Sequence, residues 1–174
     1  ADAIERLVAD VEREHSRLDV LVNNAGVLVS KRLEDTTTDE LDAILKTNVR
    51  APYILCREAL RLLRKSDAAE IVNICSVVAH TGYPLQSAYA ASKHALLGMS
   101  ESLSREVSGE GIRVHVISPG GVLTEMIGEA RPDLVGTPMI VPDDIADAVE
   151  FFLTHRTDGV VDEIRLHRST KAPF

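Results

Sequence analysis

Tyr89 and Lys93 stand four residues apart in the stretch SAYAASKHALLG, and that spacing puts two side chains on one face of a helix. An ammonium beside a phenol favours the phenolate and lowers its pKa from about 10. The pair therefore reads as a general acid–base device for neutral pH. Ser76 precedes it, just past the end of the run EIVNIC, which has strand character. A hydroxyl there can hold a carbonyl oxygen and stabilise charge that develops on it. A Tyr-x-x-x-Lys pair alone recurs by chance in helices. The serine at a strand end is what makes the constellation chemical.

The elements that must position these residues alternate along the chain. Ile4, Leu7, Val8 and Val11 mark one face of a helix over residues 2–16. Strand signals follow at Leu18–Asn23, Glu70–Cys75, Ile112–Ser118 and Val160–Leu166. Between them, Thr37 and Glu40 predict a capping box, and a helix starts just after Thr37. Further helices are expected over Val49–Lys65, with Pro52 near the first turn, and over Ser87–Ser108, ending before Gly109 and Gly111. A last one covers Ile145–His155, opened by Pro142, Asp143 and Asp144. Strands separated by helical crossovers predict an α/β, three-layer fold with a mostly parallel sheet, functional loops at the strands' C-terminal ends. One domain, or most of one, spans residues 1–174.

Composition narrows the classes of function. Apolar residues make up 45% and charged residues 26% of the 174, as in a globular domain. A formal net charge of −8 argues against nucleic acid or an anionic membrane as partner. No apolar run is long enough to span a membrane. Cys56 and Cys75 sit in apolar surroundings and read as buried free thiols, which fits a reducing, cytoplasmic compartment. The six histidines are scattered and read as surface or packing residues, with no metal-site spacing.

Five segments in order carry a resemblance: LDVLVNNAG at Leu18–Gly26, KTNV at Lys46–Val49, IVNICS at Ile71–Ser76, YAASK at Tyr89–Lys93 and SPGGVLTEM at Ser118–Met126. Jointly they resemble the single-domain branch of the short-chain dehydrogenase/reductase family over nearly the whole chain. The resemblance implies a partial Rossmann-type fold. The implied activity is an NAD(P)-dependent oxidoreductase interconverting a carbonyl and a secondary alcohol by hydride transfer. It makes Tyr89 the proton donor in reduction and acceptor in oxidation. Lys93 would lower its pKa and bond the nicotinamide ribose, and Ser76 would position the substrate oxygen. Asn48 would complete a tetrad by holding a water behind Lys93; on its own it reads only as a polar residue at an irregular helical turn. Asn24, Ala25 and Gly26 would pass close to the cofactor. Pro119, Gly120, Val122 and Thr124 would bind the nicotinamide carboxamide. Without the resemblance, Asn-Ala-Gly and Pro-Gly are ordinary turn material.

The family's Gly-rich phosphate loop, T-G-x-x-x-G-x-G opening a helix, has no counterpart here. The expectation is that the N-terminal dinucleotide-binding segment is missing and the chain is part of a longer enzyme, inactive alone, with an apolar edge left on the Leu18–Asn23 strand. The segment Glu125–Val141 looks short for a substrate cover, with Val77, Val78, Tyr83, Met126 and Ile127 as candidate pocket walls. The ending VVDEIRLHRS is similar to a subgroup often linked to NADP, which tilts the cofactor toward NADP over NAD. Relatives assemble as homodimers or homotetramers through the two long helices. Two other readings stand beside this one: a non-catalytic scaffold of truncated fold, and a sugar-nucleotide epimerase or dehydratase, for whose extra domain the chain has little room.

Overall fold

Four short strands pair in parallel in chain order, and the packing of their side chains shows why each was written as it was. The computed structural model describes residues 2–134 and 136–171. The strands are β1 Val20–Asn23, β2 Glu70–Ile74, β3 Arg113–Pro119 and β4 Glu163–Leu166. β1 and β4 are shorter than the apolar runs that announced them. The helices are α1 Asp2–His15, α2 Thr38–Leu45, α3 Ala51–Leu63, α4 Ser87–Val107, α5 Glu125–Ala130 and α6 Pro142–Thr154.

Successive residues of one strand serve opposite layers. On β2, Ile71 joins Cys56, Ala59 and Leu63 of α3 and Leu103 and Val107 of α4. The next residue, Val72, faces the other way onto Ala148 and Phe152 of α6. Both faces of the central strands are thus covered, which is why β2 and β3 read as continuous apolar runs. Each aliphatic side chain buried this fully contributes about 1.5–3 kcal/mol. β1 ends the sheet order, and Val22 on it is 41% exposed.

Helix ends follow their local signals. Glu40 N–H donates to Thr37 Oγ1 at 3.2 Å and Thr37 N–H to Glu40 Oε2 at 2.9 Å, completing the capping box. Asp144 receives the Val141 N–H at 2.8 Å at the start of α6. Gly111, with φ of 75°, takes the left-handed position that turns the chain from α4 into β3.

The stretch expected as one helix from Val49 is interrupted. Residues Lys46–Arg50 form a π turn, in which Ala51 N–H reaches the Lys46 carbonyl five residues back. Pro52 has no N–H to give the turn before it, so the widened turn sits where the regular ladder loses a donor. Asn48 lies in the middle of that turn, buried to 1% exposure.

Two histidines read as bland turn out to hold the sheet. His115 Nε2 lies 2.7 Å from Glu70 Oε2, and Arg156 Nη1 lies 2.7 Å from Glu70 Oε1. His115 Nδ1 faces the Val161 carbonyl at 2.8 Å, and the ring stacks on Phe152 at 4.2 Å. Glu70 is thus placed between the His115 ring on β3 and the Arg156 guanidinium beyond α6. His80 Nε2 meets Glu163 Oε1 at 2.7 Å, joining the segment after β2 to β4.

Candidate active site

The site is built at the C-terminal ends of the parallel strands, where loops from β1, β2 and β3 meet the first turns of α4. A cavity of about 1020 Å³ opens there. Asn24, Gly26, Ser76, Tyr89, Lys93, Pro119, Gly120, Val122 and Thr124 all line it, with the expected wall residues Val77, Val78, Tyr83, Met126 and Ile127. Of the residues singled out in the sequence, Ala25 and Asn48 do not line it.

Ser76 ends the β2 segment in extended conformation and caps a 3-10 turn over Val77–Ala79, its hydroxyl accepting from Val78 N–H at 3.3 Å. The same Oγ donates to the Pro119 carbonyl at 3.4 Å. The serine thus joins the turn after β2 to the end of β3. The Tyr89 phenol lines the same cavity, and Ser76 acts to lower its pKa.

Burial pushes the Tyr89 phenol up to about 12, and the neighbouring Ser76 offsets only part of this. Burial also holds the Lys93 ammonium below its ordinary value, with the Cys75 thiol acting in the opposite sense. Lys93 Nζ lies 5.7 Å from the centre of the Tyr89 ring and donates to the Ile74 carbonyl at 2.9 Å. The helical spacing does bring the two side chains together. In the folded protein, however, burial dominates and Tyr89 stays a protonated phenol.

Asn48 acts from behind this site. Its Oδ1 accepts from Val27 N–H at 2.9 Å, and its Nδ2 donates to the Val27 carbonyl at 2.9 Å and to Ser92 Oγ at 3.0 Å. Ser92 Oγ in turn donates to the Tyr89 carbonyl at 2.7 Å. Both amide hydrogens are therefore committed to protein, and the side chain ties the loop after β1 to the Tyr89 turn of α4. A Cβ placed on Gly26 would stand 3.6 Å from Asn48 Oδ1 and 3.7 Å from Lys93 Nζ, ordinary contacts, so packing within the chain does not by itself demand glycine.

Beyond Pro119 the chain is held in place by β-like bonds. Gly120 N–H donates to the Leu166 carbonyl at 2.8 Å, and Leu123 N–H to the Ile140 carbonyl at 2.8 Å. The Thr124 hydroxyl is turned to the Val122 carbonyl at 3.4 Å instead of capping α5. This leaves Val122 and Thr124 on the cavity wall.

A buried amide relay escaped the sequence reading. The β1–β2 register sets Asn23 opposite Asn73, and Asn23 Nδ2 donates to Asn73 Oδ1 at 2.7 Å. Asn73 Nδ2 donates to Ser100 Oγ at 2.8 Å on α4. Asparagine inside two apolar strands was the available signal, since a buried amide needs partners.

The family model described as short chain dehydrogenase matches residues 1–135. The chain is 34% identical over 134 residues to a 3beta-hydroxysteroid dehydrogenase of Mediterraneibacter gnavus, covering 76% of this chain and 48% of that protein. It is 38% identical over 125 residues to the 3-oxoacyl-acyl-carrier-protein reductase FabG of Haemophilus influenzae, covering 72% of this chain and 52% of the relative. The chain thus spans about half the length of these curated relatives. Among solved structures, it superposes on a metagenomic short-chain oxidoreductase in complex with NADP with a TM-score of 0.81. That pair shares 31% identity and covers 98% of this chain and 70% of the other.

Proposed function

The chain belongs to the short-chain dehydrogenase/reductase family, and on that premise we propose that its full-length protein is an NAD(P)-dependent oxidoreductase interconverting a carbonyl compound and a secondary alcohol. The observation that carries the reading is the convergence of Ser76, Tyr89 and Lys93 on the wall of one cavity at the strands' C-terminal ends. A cofactor of this kind supplies the hydride, and the protein supplies orientation and the proton.

The residues present suit the nicotinamide end of such a group. Lys93 gives one ammonium hydrogen to Ile74, and its other two have no protein acceptor among the described residues, which suits ribose hydroxyls. Pro119, Gly120, Val122 and Thr124 offer a fixed wall for the carboxamide, with Asn24, Ala25 and Gly26 on the opposite loop. NADP is the preferred cofactor and NAD the alternative; the support is the NADP-bound structural relative.

In reduction, Ser76 Oγ holds the substrate oxygen and Tyr89 Oη gives it the proton. A phenol that stays protonated at neutral pH is already in the state this step needs. In oxidation the same hydroxyl must first lose its proton. The reading also includes assembly as a homodimer or homotetramer through α3 and α4 and residence in the cytoplasm. Tyr53, 56% exposed on α3, is the kind of aromatic anchor an interface uses, and two free thiols suit a reducing compartment.

The test is turnover by the full-length protein of NADPH and NADH against a panel of ketones and aldehydes. Oxidation of either cofactor that depends on the carbonyl compound is expected. No turnover across the panel, with cofactor bound, would contradict the reading.

A further inference from the structure

The cavity that holds Ser76 and Tyr89 has a charge balance opposite to that of the whole chain. Besides Lys93 it is lined by Arg131, Arg168 and Lys171, and Glu150 is its one carboxylate among the described residues. The chain as a whole carries −8.

Arg168 is half-buried, and its Nη1 reaches two neutral groups, Thr137 Oγ1 at 3.2 Å and Met139 Sδ at 3.9 Å. Lys171 Nζ donates to the Tyr83 hydroxyl and lies 4.7 Å from the centre of that ring. Neither cation pairs with a carboxylate among the described residues. A guanidinium drawn partly out of water without a counter-charge is costly, and an incoming carboxylate relieves that cost with two parallel hydrogen bonds.

Placement favours a substrate over any other anion. Arg168 lies against Met139, whose methyl is 3.0 Å from where a Cβ of Gly121 would be, so it borders the turn after β3. Lys171 touches Tyr83, which lies between the Ser76 turn and α4. The two cations and the proton donor therefore share one cavity, reached from β4's far end.

We propose that Arg168, assisted by Lys171, receives a carboxylate on the carbonyl substrate, so that the site selects oxo acids or hydroxy acids over their neutral analogues. This rests on the oxidoreductase reading for the word substrate, but binding of the anion can be measured without turnover. The same cations could serve a phosphate of the cofactor, and the experiment separates the two sources.

The experiment is equilibrium binding to full-length protein of pyruvate, acetoacetate and levulinate, each against its methyl ester, by NMR titration. At least one acid is expected to bind roughly tenfold or more tighter than its ester, an advantage that shrinks as salt is raised. Arg168→Met should remove most of that ratio, and Lys171→Met a smaller part. The ester serves as the control for an intact pocket, and the wild-type ratio decides even where a variant does not fold. Equal binding of every acid and its ester overturns the proposal. So does an Arg168→Met protein that loses NADPH affinity while keeping the acid–ester ratio, since the cation then serves the cofactor. Failure of turnover with the acid preference intact would count against the oxidoreductase reading alone.

Discussion

Asn48 holds Val27 in both directions, accepting its N–H and donating to its carbonyl, each at 2.9 Å. A side-chain amide here does what a strand neighbour does for a peptide unit. It does so from a π turn, whose extra residue brings the amide to that place. Asn48→Ala leaves Val27 without these bonds and Ser92 without a donor. We expect a loss of about 2–4 kcal/mol in urea unfolding, from two or three net hydrogen bonds and the unpaired groups left behind. A loss under about 0.5 kcal/mol would mean that water replaces the amide and the clamp has little weight.

The Glu70–His115–Arg156 cluster should behave as one unit. Glu70→Ala removes the carboxylate that lies against both His115 and Arg156. Removing one partner of a buried pair costs about 3–5 kcal/mol, and a drop of that size in chemical denaturation is expected. A Glu70→Ala, His115→Phe double variant should recover part of it, because Phe can keep the stack on Phe152 and leaves no buried ring nitrogen without a partner. Equal losses in the single and double variants would show that Glu70 and His115 are not coupled.

Neither cysteine should behave as a reactive thiol. Cys56 is pushed up to about 11 by burial, against the weaker pull of the Asn23 amide, and burial also raises Cys75. Thiol titration with a coloured disulfide reagent at neutral pH should label neither in the folded protein and both after denaturation. Fast labelling of one in native conditions would contradict the packing around α3 or the end of β2.

Tyr89 should resist ionisation in the cofactor-free protein. Its pKa is raised, to about 12, so the protonated form persists well above neutral pH. Ultraviolet titration of wild type against Tyr89→Phe should show no Tyr89 phenolate up to about pH 10. A phenolate signal near pH 7–8 that vanishes in the variant would mean Lys93 prevails over burial even without cofactor.

Much of this was legible in the sequence because it depends on local spacing. Tyr89 and Lys93 share a helical face by periodicity, and Thr37 with Glu40 declares a helix start through bonds within four residues. The parallel order followed from alternation of strand and helix. What stayed hidden depends on register and distance along the chain. Asn23 and Asn73 meet only because β1 and β2 pair residue for residue. His115 became an ion-pair partner because β3 sets it beside Glu70, and Arg156 arrives from beyond α6. The sense of the Tyr89 shift was also hidden, since spacing reveals a charged neighbour but not how much water the fold removes.

The central claim is that Tyr89 gives the proton in a nicotinamide-dependent reduction. Its most direct test is the rate of NADPH oxidation by full-length protein with its best carbonyl substrate, comparing wild type with Tyr89→Phe while NADPH binding is followed by fluorescence. A fall of roughly 10²–10⁴-fold in turnover with cofactor affinity nearly unchanged is the predicted result. A Tyr89→Phe protein that turns over at the wild-type rate would contradict the account.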